Sequence, residues 1–336
     1  MQLFGGREIT CPRCFRQVRL PKTVDKYLVC RECTFSIPMT YVRDRKQMPP
    51  VFVQLFGLSA AGKTTFLDML RLHLYDMDQV WGASGFFVQP VTQLDMDHRV
   101  ILETQRNQGI LAPSTHKRGR NQNEVYIMAL KHMARWGSRF LVLMDHAGES
   151  FGTLVIPVEE IPFLQHTPVT IVLLSLPDLV REGKRVNDVL NSYITSLENY
   201  KVNFGKDLRQ LILVFSKADL LPDLPAEVND YLSRDTIYDA LRDPRQNLRL
   251  GEKEMDQYLQ WMNYISDMLE QWARARVPSG PALLHMLRDK RIAYKFTVMS
   301  ATGHPIVVGD QNLAPSPRRV LDPFFWVLEF YKQNNI

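Results

Sequence analysis

The sequence predicts an α/β fold, a three-layer and mostly parallel sheet preceded by a small separate module. Three observations carry that expectation. A short apolar run, Val51–Phe56, passes at once into Gly57-Leu-Ser-Ala-Ala-Gly62-Lys63-Thr64 and then into apolar residues at helical spacing. Further apolar runs of strand length, Phe140–Met144, Val169–Leu176, Leu211–Phe215 and Tyr294–Met299, follow with helical stretches between them. All four cysteines lie at the front of the chain, as Cys11-Pro-Arg-Cys14 and Cys30-Arg-Glu-Cys33.

At 336 residues the chain suffices for one large domain or two. With 45% hydrophobic and 23% charged residues it can bury a sizeable core. No apolar run approaches the ~20 residues of a membrane span, and Met1–Arg7 leads into no signal peptide, so a cytoplasmic protein is expected. The net charge of +5 is uneven: residues 1–50 carry ten Lys/Arg against four Asp/Glu, and the remainder is nearly balanced.

The cysteine spacing, C-x2-C-x15-C-x2-C, is that of a zinc ribbon. Two residues between paired cysteines let both sulfurs reach one tetrahedral Zn2+, so Cys11, Cys14, Cys30 and Cys33 are the expected ligands. About 40 residues make too little core to fold unaided, and the metal supplies the difference. Residues 1–40 are therefore expected as the ribbon, 41–50 as a linker, and 51–336 as the main domain with a helical insertion around 221–290. The ribbon reads as a structural cap or protein-docking knob, or as a nucleic-acid contact through Arg13, Arg16, Arg19, Lys22, Arg31, Arg43, Arg45 and Lys46. A redox role fits two CxxC pairs less well than a metal does. Replacing Cys11 by serine is expected to unfold the ribbon and leave nucleotide binding nearly intact.

Residues 51–72 form the strand–glycine loop–helix context that a phosphate-binding GxxxxGK[ST] motif needs, a P-loop NTPase arrangement. Gly57 and Gly62 would let backbone N–H groups turn towards a β-phosphate at the helix N-terminus. Ala60, Ala61 and Thr65 complete the nucleotide-contacting set. Lys63 would neutralise β- and γ-phosphate oxygens, and the Thr64 hydroxyl would ligate Mg2+. Helix is expected to about Tyr75, then a strand at Gly85–Pro90, a helix over Thr92–Gln108 and a loop over Gly109–Arg120. Val125–Met133 and Phe140–Met144 read as strands about an Arg135–Ser138 turn.

The second of these ends in Asp145-His-Ala-Gly148, a DxxG arrangement in which Asp145 would hold Mg2+ through water and the Gly148 N–H would sense a γ-phosphate. A helix is expected over Arg185–Tyr200. The 211–215 strand ends in Ser216-Lys217-Ala218-Asp219, resembling the guanine motif [NT]KxD. Asp219 could accept from N1–H and the 2-amino group of guanine, while the Lys217 stem covers the base. Ser216 replaces Asn or Thr, which puts the tie between this loop and the phosphate loop in question. Ser300-Ala301-Thr302 resembles an SAK element, where the Ala301 N–H would meet guanine O6. Gly251–Arg276 reads as a long helix whose stripe, from Met255 through Trp261 to Trp272, is core or a partner surface. Asp322-Pro323 reads as the N-capped start of a further helix.

These elements, in this order and each at a strand end, make residues 51–332 similar to a TRAFAC-class P-loop GTPase. The ribbon, the long interval before a switch threonine and the string Asp145-His-Ala-Gly-Glu149 resemble the bacterial double-GTPase group. The resemblance implies GTP/GDP and Mg2+ as cofactors, and Thr115 as the threonine that closes on Mg2+ and the γ-phosphate. It also implies a switch role, possible service in a conflict or signalling system, and a protein partner or second GTPase. In Ras-like members a glutamine follows DxxG; here Glu149 stands there. Ser59 stands where Ras-like loops keep glycine, and Ala60 where potassium-activated relatives place Asn. Slow hydrolysis is the expectation. An ATPase, a scaffold that hydrolyses nothing and an RNA- or ribosome-associated GTPase remain alternatives.

Overall fold

The computed structural model describes residues 8–21, 26–57, 61–107, 125–145, 161–221, 224–303 and 316–336. Two hairpins open the chain, β1 (Glu8–Thr10) with β2 (Gln17–Arg19) and β3 (Tyr27–Val29) with β4 (Ser36–Pro38), followed by α1 (Met39–Asp44). Then come β5 (Pro50–Gly57), α2 (Lys63–Asp76), α3 (Asp78–Trp81), β6 (Phe87–Pro90), α4 (Gln93–Asn107), β7 (Val125–Met133) and β8 (Gly137–Asp145). The chain continues through α5 (Ile161–His166), β9 (Val169–Ser175), α6 (Leu176–Asn199) and β10 (Gln210–Ser216). Four helices, α7 (Ala226–Ser233), α8 (Thr236–Arg242), α9 (Glu252–Arg276) and α10 (Gly280–Asp289), separate β10 from β11 (Ala293–Val298), and α11 (Asp322–Gln333) follows.

The seven-stranded sheet runs β11-β10-β9-β5-β8-β7-β6. Its first five strands are parallel; β7 and β6 add in antiparallel fashion. Strands covered on both faces read as unbroken apolar runs, and every residue of β9 is buried. On β5 the pleat sends Val51, Val53 and Leu55 into a core shared with Phe66 and Leu70 of α2 and Phe325 of α11. Phe52 packs instead with the ribbon's core.

That second core revises the picture of a free module. Ile9, Val18, Leu28, Ile37 and Tyr41 bury themselves together with Ile127, Ala129, Phe140 and Val142 of the sheet and Phe163 of α5. Tyr41 meets Phe140 with ring centroids 5.1 Å apart, and Phe15 meets Phe52 and His166, each at 4.9 Å. The segment expected as a linker is helical over α1 and buries Tyr41, Val42 and Met48. The ribbon is thus a further layer on the sheet.

The starts of two helices depart from the sequence expectation. Helix α6 begins at Leu176, directly after β9, rather than at Arg185, because Pro177 sits in its first turn where no N–H is needed. Asp322 does not cap α11; it is fully buried, and its carboxylate accepts from the Tyr231 and Tyr258 hydroxyls. Burial pushes it up to about 6 against the pull of Arg319. The α9 stripe is core through Met255, Leu259, Met262, Ile265, Leu269 and Trp272, while Trp261 stays 45% exposed. Among the described residues no helix is long and apolar enough to cross a membrane.

Candidate nucleotide site and cysteine cluster

Parallel pairing brings the ends of β5, β8, β9, β10 and β11 to one edge of the sheet. Leu55 stands beside Asp145, Gly57 beside Leu173, Ser216 beside Ser175 and Phe215 beside Val298. The loops that leave this edge are the ones bearing the motifs, as expected for ligands in open α/β sheets.

The two glycines of the phosphate loop serve different needs. A Cβ on Gly57 would stand 2.8 Å from the Leu173 carbonyl oxygen, so its role is close strand approach. Gly62 has φ +87°, the left-handed region, and a Cβ there would meet no atom of the described residues within 4 Å. It precedes α2, whose first turn holds no acidic residue, and its carbonyl accepts the Phe66 N–H at 2.8 Å. The positive end of this 14-residue helix thus carries no carboxylate in its own first turn, which suits it to an anion. Lys63, Thr64 and Thr65 open that helix and are half-buried; the Lys63 Nζ reaches back 2.7 Å to the Gly57 carbonyl, spanning the loop.

Ser216 departs from Asn or Thr, yet a tie to the phosphate loop is present. Its buried Oγ donates to the Ala61 carbonyl at 2.9 Å, joining the end of β10 to the phosphate loop. Lys217 adopts a left-handed φ of +58°, which turns the chain so that the Ala218 N–H reaches the Met299 carbonyl at 3.2 Å. Ser300 Oγ donates to Asp219 Oδ1 and accepts the Gly303 N–H at 2.8 Å. The Asp219 carboxylate is therefore oriented by one oxygen, and Ala301 follows on the same turn. Ser216→Ala should leave the buried Ala61 carbonyl unpaired, at a cost of about 1–3 kcal/mol. The expected result is nucleotide release at least fivefold faster in stopped-flow with a fluorescent GDP; unchanged release would show the bond to be dispensable.

Asp145 ends β8 at this edge, although its side chain is outside the described set. Ser59, Ala60, Thr115, Gly148 and Glu149 likewise lie outside the described residues.

Each cysteine pair sits in the turn of one hairpin. Cys11 N–H bonds the Arg16 carbonyl and Phe15 N–H the Cys11 carbonyl; Cys30 with Phe35 and Thr34 with Cys30 repeat the pattern. Phe15 and Thr34, each just after a pair, share a left-handed φ near +57° and +58°. The four sulfurs lie within 4.8 Å of one another, with Cys11–Cys33 at 3.7 Å and Cys14–Cys30 at 3.6 Å. A tetrahedron of ~2.3 Å Zn–S bonds has edges of about 3.8 Å, so the cluster fits one zinc and is too open for disulfides. Burial pushes the Cys14 thiol up to about 12, while the hydrogen bond from Cys11 draws Cys33 down to about 5.

The sequence pattern of the Double-GTPase 2 family matches residues 51–256, well over half of the chain. The chain belongs to the Double-GTPase 2 family. Membership brings a GTPase-like domain, and the GTPase fold implies a guanine nucleotide as its ligand class. Among curated proteins none matches. Among solved structures, the signal recognition particle receptor SRb-GTP/SRX complex from Chaetomium thermophilum is similar at 14% identity and TM-score 0.36, over 83% of this chain and 97% of that one. The S. cerevisiae Ski7 GTPase-like domain bound to GTP is similar at 14% identity and TM-score 0.31, over 89% and 53%.

Sequence reasoning missed two parts of the site. One is the docking of the ribbon on the strands that carry it. The other is the segment 316–319, which packs on the 300–303 turn; two adjacent arginines before an apolar run, Arg318-Arg319-Val320-Leu321, were its only signal.

Proposed function

We propose that this Double-GTPase 2 chain binds GTP with Mg2+ at the C-terminal edge of its sheet and hydrolyses it slowly, as a switch. The observation that carries the reading is the linkage of Ala61, Ser216, Asp219 and Ser300: base loop and phosphate loop are joined by side-chain hydrogen bonds among residues of both motifs. Lys63 would neutralise phosphate oxygens from the first turn of α2, and Asp219 would hold the guanine edge. Thr64, Thr115 and Asp145 are the residues that would hold Mg2+, which supplies charge neutralisation between β- and γ-phosphates. Gly148 would follow the γ-phosphate and release on its loss.

Glu149 decides the rate. A carboxylate at that position can accept a proton from water but cannot donate to the γ-phosphate, and its charge opposes the phosphate oxygens. Ser59 and Ala60 leave neither an open arginine-finger path nor an asparagine for potassium activation. A protein partner, or a second GTPase, would complete the site. In single-turnover assays the isolated protein should hydrolyse GTP on the order of 10⁻⁴–10⁻² s⁻¹. Turnover above about 1 s⁻¹, abolished by Glu149→Gln, would make the carboxylate the catalytic device. Equal competition by ATP and GTP would overturn the guanine assignment, and no hydrolysis at all would leave a binding scaffold.

A further inference from the structure

The turn assigned to guanine does not stand alone. Ser300 and Arg318 form an antiparallel bridge, with Ser300 N–H to the Arg318 carbonyl at 3.1 Å and Arg318 N–H to the Ser300 carbonyl at 2.7 Å. Ser316 N–H adds a bond to the Thr302 carbonyl at 2.8 Å. The approach is so close that a Cβ on Gly303 would fall 1.8 Å from the Ser316 carbonyl oxygen. The position of residues 300–303 is therefore set by the position of 316–318.

That segment is in turn held by the helices between β10 and β11. The Arg318 guanidinium donates to Asp239 Oδ1 of α8 at 2.7 Å and lies 4.7 Å from the Tyr238 ring centroid. Arg319 has a left-handed φ of +57°, a conformation that persists in a long side chain only where its surroundings enforce it. They do so from all sides. Its Nε donates to the Tyr231 carbonyl at 2.7 Å, Nη2 to the Arg234 carbonyl at 2.7 Å and Nη1 to the Tyr258 hydroxyl at 2.8 Å. Its backbone N–H meets the Asp235 carboxylate, and its guanidinium lies 3.6 Å from the Tyr231 ring centroid. These contacts come from α7, the start of α8, and α9.

We propose that Arg318 and Arg319 are positioning residues for guanine recognition: they bolt the 300–303 turn to the helical insertion, and the insertion thereby sets guanine specificity. The inference rests on the guanine reading given above. Neither arginine is assigned contact with the nucleotide. Each acts through the backbone of Ser300, whose hydroxyl orients Asp219. A loose bolt should cost base recognition and spare phosphate binding, because Lys63 and Gly62 stand on a different element.

The test is a set of competition titrations against a fluorescent GDP with GTP, ATP and inorganic triphosphate, on the full chain and three variants. Arg318→Ala removes a partly exposed side chain, and Asp239→Asn removes its partner in the insertion. Arg319→Lys keeps the charge and loses the planar fork. The expected result is a fall of about tenfold in the GTP-over-ATP ratio for Arg318→Ala. Asp239→Asn should move it in the same direction and Arg319→Lys at least as far, with triphosphate affinity constant within twofold throughout. A parent that prefers GTP, with variants that keep the full ratio or lose GTP and triphosphate in parallel, would overturn the positioning role and leave the guanine reading standing. A parent that binds GTP and ATP equally would overturn the guanine reading and this inference with it. Should Arg319→Lys fail to fold, Arg318→Ala and Asp239→Asn alone decide the question.

Discussion

Cys11→Ser should cost this protein more than its ribbon. With zinc on the four sulfurs, loss of one ligand would release the tie between the two hairpins, and the hairpins cover Ile127, Phe140, Val142 and Phe163. Re-exposing a buried side chain of this size costs about 1.5–3 kcal/mol. Four of them amount to roughly 6–12 kcal/mol as an upper figure, against the ~5–15 kcal/mol that a domain has in total. The expected outcome is a melting transition of the whole chain that falls by well over 10 °C, with nucleotide binding lost alongside it. This replaces the sequence-based expectation that nucleotide binding would survive. Calorimetry of the parent, of the variant and of parent treated with a strong chelator is the measurement, with elemental analysis giving one zinc per chain in the parent alone. A sheet domain that melts unchanged in the variant, or stoichiometric iron with visible colour in place of zinc, would refute the account.

Asp219→Asn should exchange one base for another. The carboxylate is oriented by Ser300 and would accept two donors on the guanine edge. Hydrogen bonds to a charged group are worth about 1.5–3 kcal/mol each, so loss of one lowers GTP affinity at least tenfold. An amide offers a donor where xanthine carries a carbonyl, so xanthosine triphosphate should gain what GTP loses. Isothermal titration with both nucleotides reads the exchange directly. If both affinities fall alike, Asp219 supports the loop without reading the base.

Much of this was legible because the signals are local. Gly57 to Thr64 fixes strand, loop and helix within 15 residues, and C-x2-C hairpin turns specify their own geometry. Strand ends were legible too, since Asp145, Ser216 and Ser300 each interrupt an apolar run. Where the sequence misled, distant packing had prevailed over a local cue. The helix expected from Arg185 begins nine residues earlier at Leu176, where Pro177 is tolerated in the first turn. Asp322 before Pro323 looked like a cap, and is instead consumed by two tyrosines far away in sequence. Ser216 in place of Asn or Thr put the tie to the phosphate loop in question, and the fold brings the Ala61 carbonyl to it. The ribbon's seat on the sheet could not be read at all, because Phe15 and Phe52 carry no mark of their pairing.

The hydroxyl of Tyr331 both accepts the Phe52 N–H at 2.8 Å and donates to the Phe52 carbonyl at 2.9 Å, so β5 is finished at one end by a residue 279 positions away. On the ribosome, at about 5–20 residues per second, the strand bearing the phosphate loop waits on the order of tens of seconds for that partner. Its sheet neighbours β8 and β9 emerge in the interval, and the two hairpins precede them all in the chain. Ile9, Val18, Leu28 and Ile37 of those hairpins are thus already synthesised when Phe52, Phe140 and Ile127, their partners in the second core, appear.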